Sequence, residues 1–303
     1  FSKFEAMMLI KNNRWPGSGG VLEAAYPHLS NSEMLKHDAV YVMGQIKAKE
    51  QIPFLLMRMD DHGEQSVVRH EAAEALGNFP EEKEMIMERM RIHWDSSDQL
   101  LRSTVRVAIP KLTHYTKDSR YGQNRYGALE PAEPFSESEI RQFLQSKGYT
   151  ITLKDPSSFY SAVESCLLRE LSEVDEWLKY RIIYYLRDTG GKQSQAVLCK
   201  LLSPMHRRVT SALMRHEVCI VFSQIHEGDY FVQYILQQTG RDEREHPIVR
   251  HEAILAYFDI TEDRDFIEEF KESPLQLIRE SVEIAVGNCV EPKLREQGGD
   301  RDE

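Results

Sequence analysis

Apolar residues in this chain recur at helical rather than strand spacing. At about 100° per residue, Leu35, Ala39, Val42, Met43 and Ile46 share one stripe, and Val68, Ala72, Ala75, Leu76 and Phe79 share another. These stripes repeat along the chain. The segments KFEAMMLIKN, KHDAVYVMGQI, RHEAAEALGNF and RSTVRVAIPKL align on Lys3, Lys36, Arg69 and Arg102 at a strict interval of 33 residues. A second series, KYRIIYYLRDT, RHEVCIVFSQI, RHEAILAYFDI and RESVEIAVGNC, aligns on Lys179, Arg215, Arg250 and Arg279 at intervals of 36, 35 and 29.

Each period has room for a second helix upstream of the aligned one, as in VLEAAYPHL before Lys36 and QIPFLLMRM before Arg69. Paired helices at this period predict an all-α protein, a HEAT-like helical-repeat solenoid of eight repeats in two four-repeat halves. The halves are expected at residues 1–114 and 162–303. Residues 115–161, containing YTKDSRYGQNRYGALEPAEPFSESE, form the linker between them, because Gly, Pro, Ser and charge replace apolar periodicity there. Phe1 falls immediately before the first aligned segment, so the first repeat is expected to lack its upstream helix.

Four of the eight aligned segments carry a histidine followed by a carboxylate at the same register: His37-Asp38, His70-Glu71, His216-Glu217 and His251-Glu252. They occupy the second and third repeats of each half. Neighbouring repeat helices lie about 10 Å apart, so two histidines from adjacent repeats can converge on one metal ion, and two halves supply two ions. An isolated histidine is more often a satisfied core residue. Here the helical period turns His37 about half a turn from its apolar stripe, and the other three likewise, so all four are expected to leave the core face.

Gly44, Gly77 and Ser223, seven residues after three of these histidines, are expected to leave room for a cofactor or a substrate arm; Phe258 interrupts that pattern in the last motif. Two imidazoles, one carboxylate and no thiolate suit non-haem iron or manganese, and zinc accepts the same donors. The remaining histidines, His28, His62, His93, His114, His206, His226 and His246, occupy unrelated registers and are expected at the surface or in loops.

Composition narrows the partners. A formal charge of -11 argues against phosphate backbones, hence no nucleic acid, and favours a cationic substrate. Four cysteines without a CxxC pair suit a reducing, cytoplasmic compartment better than a disulfide framework. With neither a run of about 18 apolar residues nor a basic, small-residue leader, the chain is expected to be soluble, with no membrane segment.

The repeat plan, the four His-acid motifs and the acid-Pro linker resemble the deoxyhypusine hydroxylase family over nearly the whole chain. The strings MLKHDAVYVMGQI, VVRHEAAEALG, SALMRHEVCIVFSQI and HPIVRHEA carry that likeness. The resemblance implies O2-dependent hydroxylation of the deoxyhypusine side chain of the hypusine-bearing translation initiation factor at a centre of two Fe2+ ions. It assigns His37, His70 and Glu71 to one ion, His216, His251 and Glu252 to the other, and Asp38 and Glu217 to the amine-rich substrate. Asp38 stands where the family has Glu, Val67 and Ile248 where it often has Met, and ILAYFDI where it ends on Gly. The competing reading is a catalytically silent HEAT scaffold that binds a protein.

Overall fold

The structure is a computed structural model that describes residues 2–29, 32–116, 118–119, 121–152, 155–169, 175–225 and 229–288. Among the described residues it is wholly helical, with no strand. In chain order the helices begin with α1 (Lys3–Asn13), α2 (Ser18–Ala25), α3 (Glu33–Gln45), α4 (Ile52–Asp60), α5 (Ser66–Leu76), α6 (Lys83–Arg91) and α7 (Gln99–His114). Next come α8 (Glu137–Ser146), α9 (Pro156–Leu167), α10 (Glu176–Thr189) and α11 (Gly191–Leu202). The last five are α12 (Ala212–Ile225), α13 (Tyr230–Arg241), α14 (Pro247–Thr261), α15 (Arg264–Glu268) and α16 (Gln276–Asn288).

Every segment aligned by the repeat coincides with one of these helices: α1, α3, α5 and α7, then α10, α12, α14 and α16. The basic residue that defines the register has a structural use. Arg69 Nε donates to the Met59 carbonyl at 3.1 Å, at the end of α4, and Arg250 Nε to the Gly240 carbonyl at 3.0 Å, at the end of α13. Lys3, Arg102, Lys179, Arg215 and Arg279 likewise donate to the carbonyls of His28, Ser96, Arg169, Thr210 and Ser273. Helix ends and the turns after them leave carbonyls without intrahelical partners, and a cation there is doubly favourable. Lys36 departs from the rule and pairs with Glu64 at 3.1 Å. Side-chain caps begin many of the helices: Ser2 and Ser136 form capping boxes with Glu5 and Glu139, and Asp98, Asp155, Asp175, Asp229 and Asp263 accept backbone N–H groups.

Packing arranges the helices in two layers. The inner helices touch in succession, α1 to α3, α5, α7, α10, α12, α14 and α16, and α16 returns to touch α3. That return closes the series into a ring. The Glu280 carboxylate on α16 accepts the Met34 N–H at the start of α3 at 2.9 Å, and α7 also meets α12 across the middle. The outer layer includes α2, α4, α6, α11, α13 and α15, each against inner helices, and between the layers lies the apolar core of Val68, Leu76, Leu101, Ile183, Val218 and Ile254.

Residues 115–161 contain α8 and the first turns of α9. Their middle section is held from both sides. The Gln45 amide on α3 brackets Leu129, donating to its carbonyl at 3.2 Å and accepting its N–H at 2.8 Å. On the other side Glu130 forms a buried ion pair with Arg187 of α10.

Candidate metal centre

Each histidine of the four motifs is the fifth residue of its helix, α3, α5, α12 or α14. Equal depth in adjacent helices places them in one row. The rings of His37 and His70 are 5.7 Å apart, those of His216 and His251 5.5 Å, and His70 and His216 face each other between the two series at 6.3 Å. Two clusters result. Ligand-type atoms of His37, His70 and Glu71 all lie within 4.8 Å of one another, and so do those of His216, His251 and Glu252.

The expectation that these histidines leave the core face needs correction. His70 and His251 are only 1% and 3% exposed, and His216 is buried too. They do leave the apolar stripe that faces the outer layer. What they turn towards is a second, polar interior where inner helices meet, and a one-helix stripe cannot register the opposing helices that bury it.

Burial governs the electrostatics. Desolvation pushes His70 and His251 well below the usual imidazole range and His216 down to about 3, so these three are neutral at pH 7. His37 goes the other way: burial opposes its charge, but Asp38 Oδ1 at 3.2 Å from Nδ1 and Glu71 Oε2 at 3.3 Å from Nε2 outweigh it and lift the ring to about 10. Burial pushes Glu252 up to about 8 and Glu217 up to about 7, with Glu71 and Glu74 also raised. Among buried polar atoms, Asp38 Oδ2, His70 Nε2 and His216 Nδ1 have no hydrogen-bond partner. Buried donors and acceptors are ordinarily satisfied. Crowded carboxylates, neutral imidazoles and orphaned nitrogens together fit cations, and the donor chemistry fits two metal ions.

Beside the clusters lies a cavity of about 230 Å³, lined by Asp38, Tyr41, Glu74, Tyr184, Glu217 and the backbone strap Ala128 to Pro131, among others. Asp38 and Glu217 therefore reach the same space from opposite series, but differently. Asp38 turns one oxygen to His37, whereas Glu217 accepts a 2.6 Å hydrogen bond from the Tyr184 hydroxyl.

Several local expectations come out otherwise. A Cβ on Gly44 would lie 2.7 Å from the Ala75 Cβ, so this glycine lets α3 and α5 approach and leaves no space for a substrate. Gly77 is similarly hemmed in by the Glu74 carbonyl and Ala108, and the Ser223 hydroxyl donates to Asp259 at 2.6 Å. His93 lies in the turn after α6, as a loop residue, but is buried rather than at the surface, its Nε2 2.7 Å from Asp60 Oδ1. His114 is exposed and stacks on Trp177 with ring centres 4.5 Å apart. His28 and His62 are exposed, while His206 and His246 are half-buried; His226 lies outside the described residues.

Sequence reasoning overlooked Tyr184, the strap, and the hydroxyls of Thr104 and Ser281, which lie 3.5 Å from His70 Nδ1 and 3.4 Å from His251 Nδ1. The last two had a signal. They stand two residues after Arg102 and Arg279, the register that carries the acid in the metal-type motifs.

No family model matches the chain. Among curated proteins, the deoxyhypusine hydroxylase of Eremothecium gossypii is 30% identical over 264 residues, spanning 84% of this chain and 73% of that relative. The chain belongs to the deoxyhypusine hydroxylase family. The human deoxyhypusine hydroxylase is 27% identical over 290 residues, 94% of this chain and 84% of the human one. Deoxyhypusine hydroxylase-B of Oryza sativa is 26% identical over 293 residues, 94% and 85% of the respective chains. In fold, the solved structure of human deoxyhypusine hydroxylase in complex with glycerol matches with a TM-score of 0.73 and 24% identity, over 94% of this chain and 88% of that one. Deoxyhypusine hydroxylases are monooxygenases. No helix among the described residues is long and apolar enough to cross a membrane.

Proposed function

We propose that this chain hydroxylates the deoxyhypusine side chain of the hypusine-bearing translation initiation factor in the cytoplasm, with O2 as co-substrate and two iron ions. The observation that carries this reading is the pair of matching His-His-Glu clusters, one from each helix series, in a member of the deoxyhypusine hydroxylase family. Residues 1–114 and 162–303 are read as two halves joined by 115–161. His37, His70 and Glu71 would hold one ion and His216, His251 and Glu252 the other. Ferrous iron in such a donor set supplies the activation of O2 needed to insert oxygen into an unactivated C–H bond, with two electrons from an external reductant.

The chain's own residues account for the rest. A deoxyhypusine arm carries two ammonium groups, and the cavity meets it with Asp38, Glu74 and Glu217. The cost that burial puts on charging Glu217 and Glu74 is offset by the attraction of an entering ammonium, so these carboxylates ionise on the substrate and bind it by charge-assisted hydrogen bonds. Tyr184, donating to Glu217, holds that carboxylate in place. The strap at Leu129 and Glu130, fastened to α3 and α10, walls the cavity and keeps water from the reacting carbon.

An assay of the chain, loaded anaerobically with Fe2+ and then given O2, a reductant and the deoxyhypusine-bearing factor, should yield hypusine. Asp38→Asn and Glu217→Gln should keep both irons and lower affinity for the factor. Full metal loading without product in the native chain would favour the scaffold reading, and loss of iron from either variant would place these carboxylates among the ligands.

A further inference from the structure

We propose that Thr104 and Ser281 are positioning residues that set the ring tautomer of His70 and His251, each presenting Nε2 as a lone pair to its metal. The inference rests on the metal reading of the two clusters and adds a role for residues outside them. A hydroxyl has one proton to give. Thr104 spends it on the Leu100 carbonyl at 2.9 Å, four residues back on α7, and Ser281 on the Leu277 carbonyl at 2.8 Å, four residues back on α16. Both oxygens are then left as acceptors. The ring atoms beside them, His70 Nδ1 at 3.5 Å and His251 Nδ1 at 3.4 Å, must carry the proton for either contact to be attractive. An imidazole protonated on Nδ1 has its lone pair on Nε2.

The surroundings support that direction. Thr104 is 2% exposed and Ser281 is fully buried, so water offers no competing acceptor to Nδ1. His70 Nε2 is buried with no hydrogen-bond partner, which is costly unless something other than a hydrogen bond occupies its lone pair. The device appears twice, once in each helix series, at one register. Counting two residues from the basic anchor gives Asp38 and Glu71, then Thr104; in the second series it gives Glu217 and Glu252, then Ser281. The repeat after the last His-acid motif thus keeps the position and exchanges a carboxylate for a hydroxyl. A carboxylate there would accept the same N–H, but it would add a negative charge to an interior already crowded with them.

His37 and His216 have no such hydroxyl: Nδ1 of His37 meets Asp38, and Nδ1 of His216 has no partner. Loss of either hydroxyl should therefore weaken one site and leave the other.

The full-length metal-free protein, titrated anaerobically with Fe2+, provides the test. Thr104→Val keeps the shape and removes the acceptor; it should weaken one of two sites by about ten- to a hundred-fold, the usual effect of losing such a partner. Thr104→Ser should restore it, and Ser281→Ala should weaken the other site. Nitrogen-15 shifts of the metal-free protein should show His70 protonated on Nδ1 in the native chain and not in Thr104→Val, a change that looser packing alone does not produce. Native-like affinity at both sites in Thr104→Val and Ser281→Ala, or an Nε2-protonated His70 in the native chain, would overturn the proposal while leaving the metal reading intact. Failure of the native chain to bind Fe2+ would instead remove both.

Discussion

Metal entry into these clusters should expel protons, and by different amounts at the two sites. A ligand must shed its proton to bind. Near pH 7 the first cluster holds one on His37, whose ring is lifted to about 10 by Asp38 and Glu71, while His70 is neutral. In the second cluster both imidazoles are neutral and the proton sits on Glu252, pushed up to about 8 by burial. Each pH unit below a ligand's pKa costs about 1.4 kcal/mol, a factor of ten in affinity. At pH 7 the His37 proton therefore handicaps its site by about 4 kcal/mol, and the Glu252 proton by only about 1 kcal/mol. Affinity at the first site should climb about tenfold per unit throughout pH 6–9, whereas the second should level off above about pH 8. Calorimetric titration of the metal-free protein with Fe2+ at pH 7, in buffers of different ionisation enthalpy, should report about two protons released per chain. No release, or affinities that stay level between pH 6 and 7, would show that the clusters are not protonated in this way.

Two further outcomes concern the scaffold. Gly44→Ala places a methyl 2.7 Å from the Ala75 Cβ and 2.8 Å from its Cα, so α3 and α5 must separate at a cost of about 1–3 kcal/mol; a urea melt matching the native chain would show that the helices give way freely. Arg187→Met strands the buried Glu130 without its cation and should cost about 3–5 kcal/mol. Adding Glu130→Gln should recover much of that loss, and a double variant as unstable as the single one would mean that Arg187 acts instead through its hydrogen bond to Gln224 at 3.0 Å or its ion pair with Asp188 at 2.8 Å.

The linear pattern carried the helices and the register of the site. Intervals of 33 residues in the first series and 35 in the second, with a shared apolar stripe, placed α3, α5, α12 and α14, and because a helix fixes the direction of every side chain, motifs in one register on neighbouring helices of a series come side by side. The residues that cap neighbouring carbonyls were written there too, in the basic anchor before three of the four motifs, Lys36 excepted, although the partner carbonyls were not visible. What lay beyond one helix was a matter for tertiary structure. His70 turns from its own stripe yet is buried, because α12 of the other series closes over it; Gly44 looked like an opening and is a close helix contact. A stretch poor in apolar periodicity, Ala128 to Pro131, became a wall of the cavity, since its hold comes from Gln45 and Arg187, 84 residues before Leu129 and 57 after Glu130. Periodicity records how a residue faces its own helix, and only the closed ring determines what faces it in return.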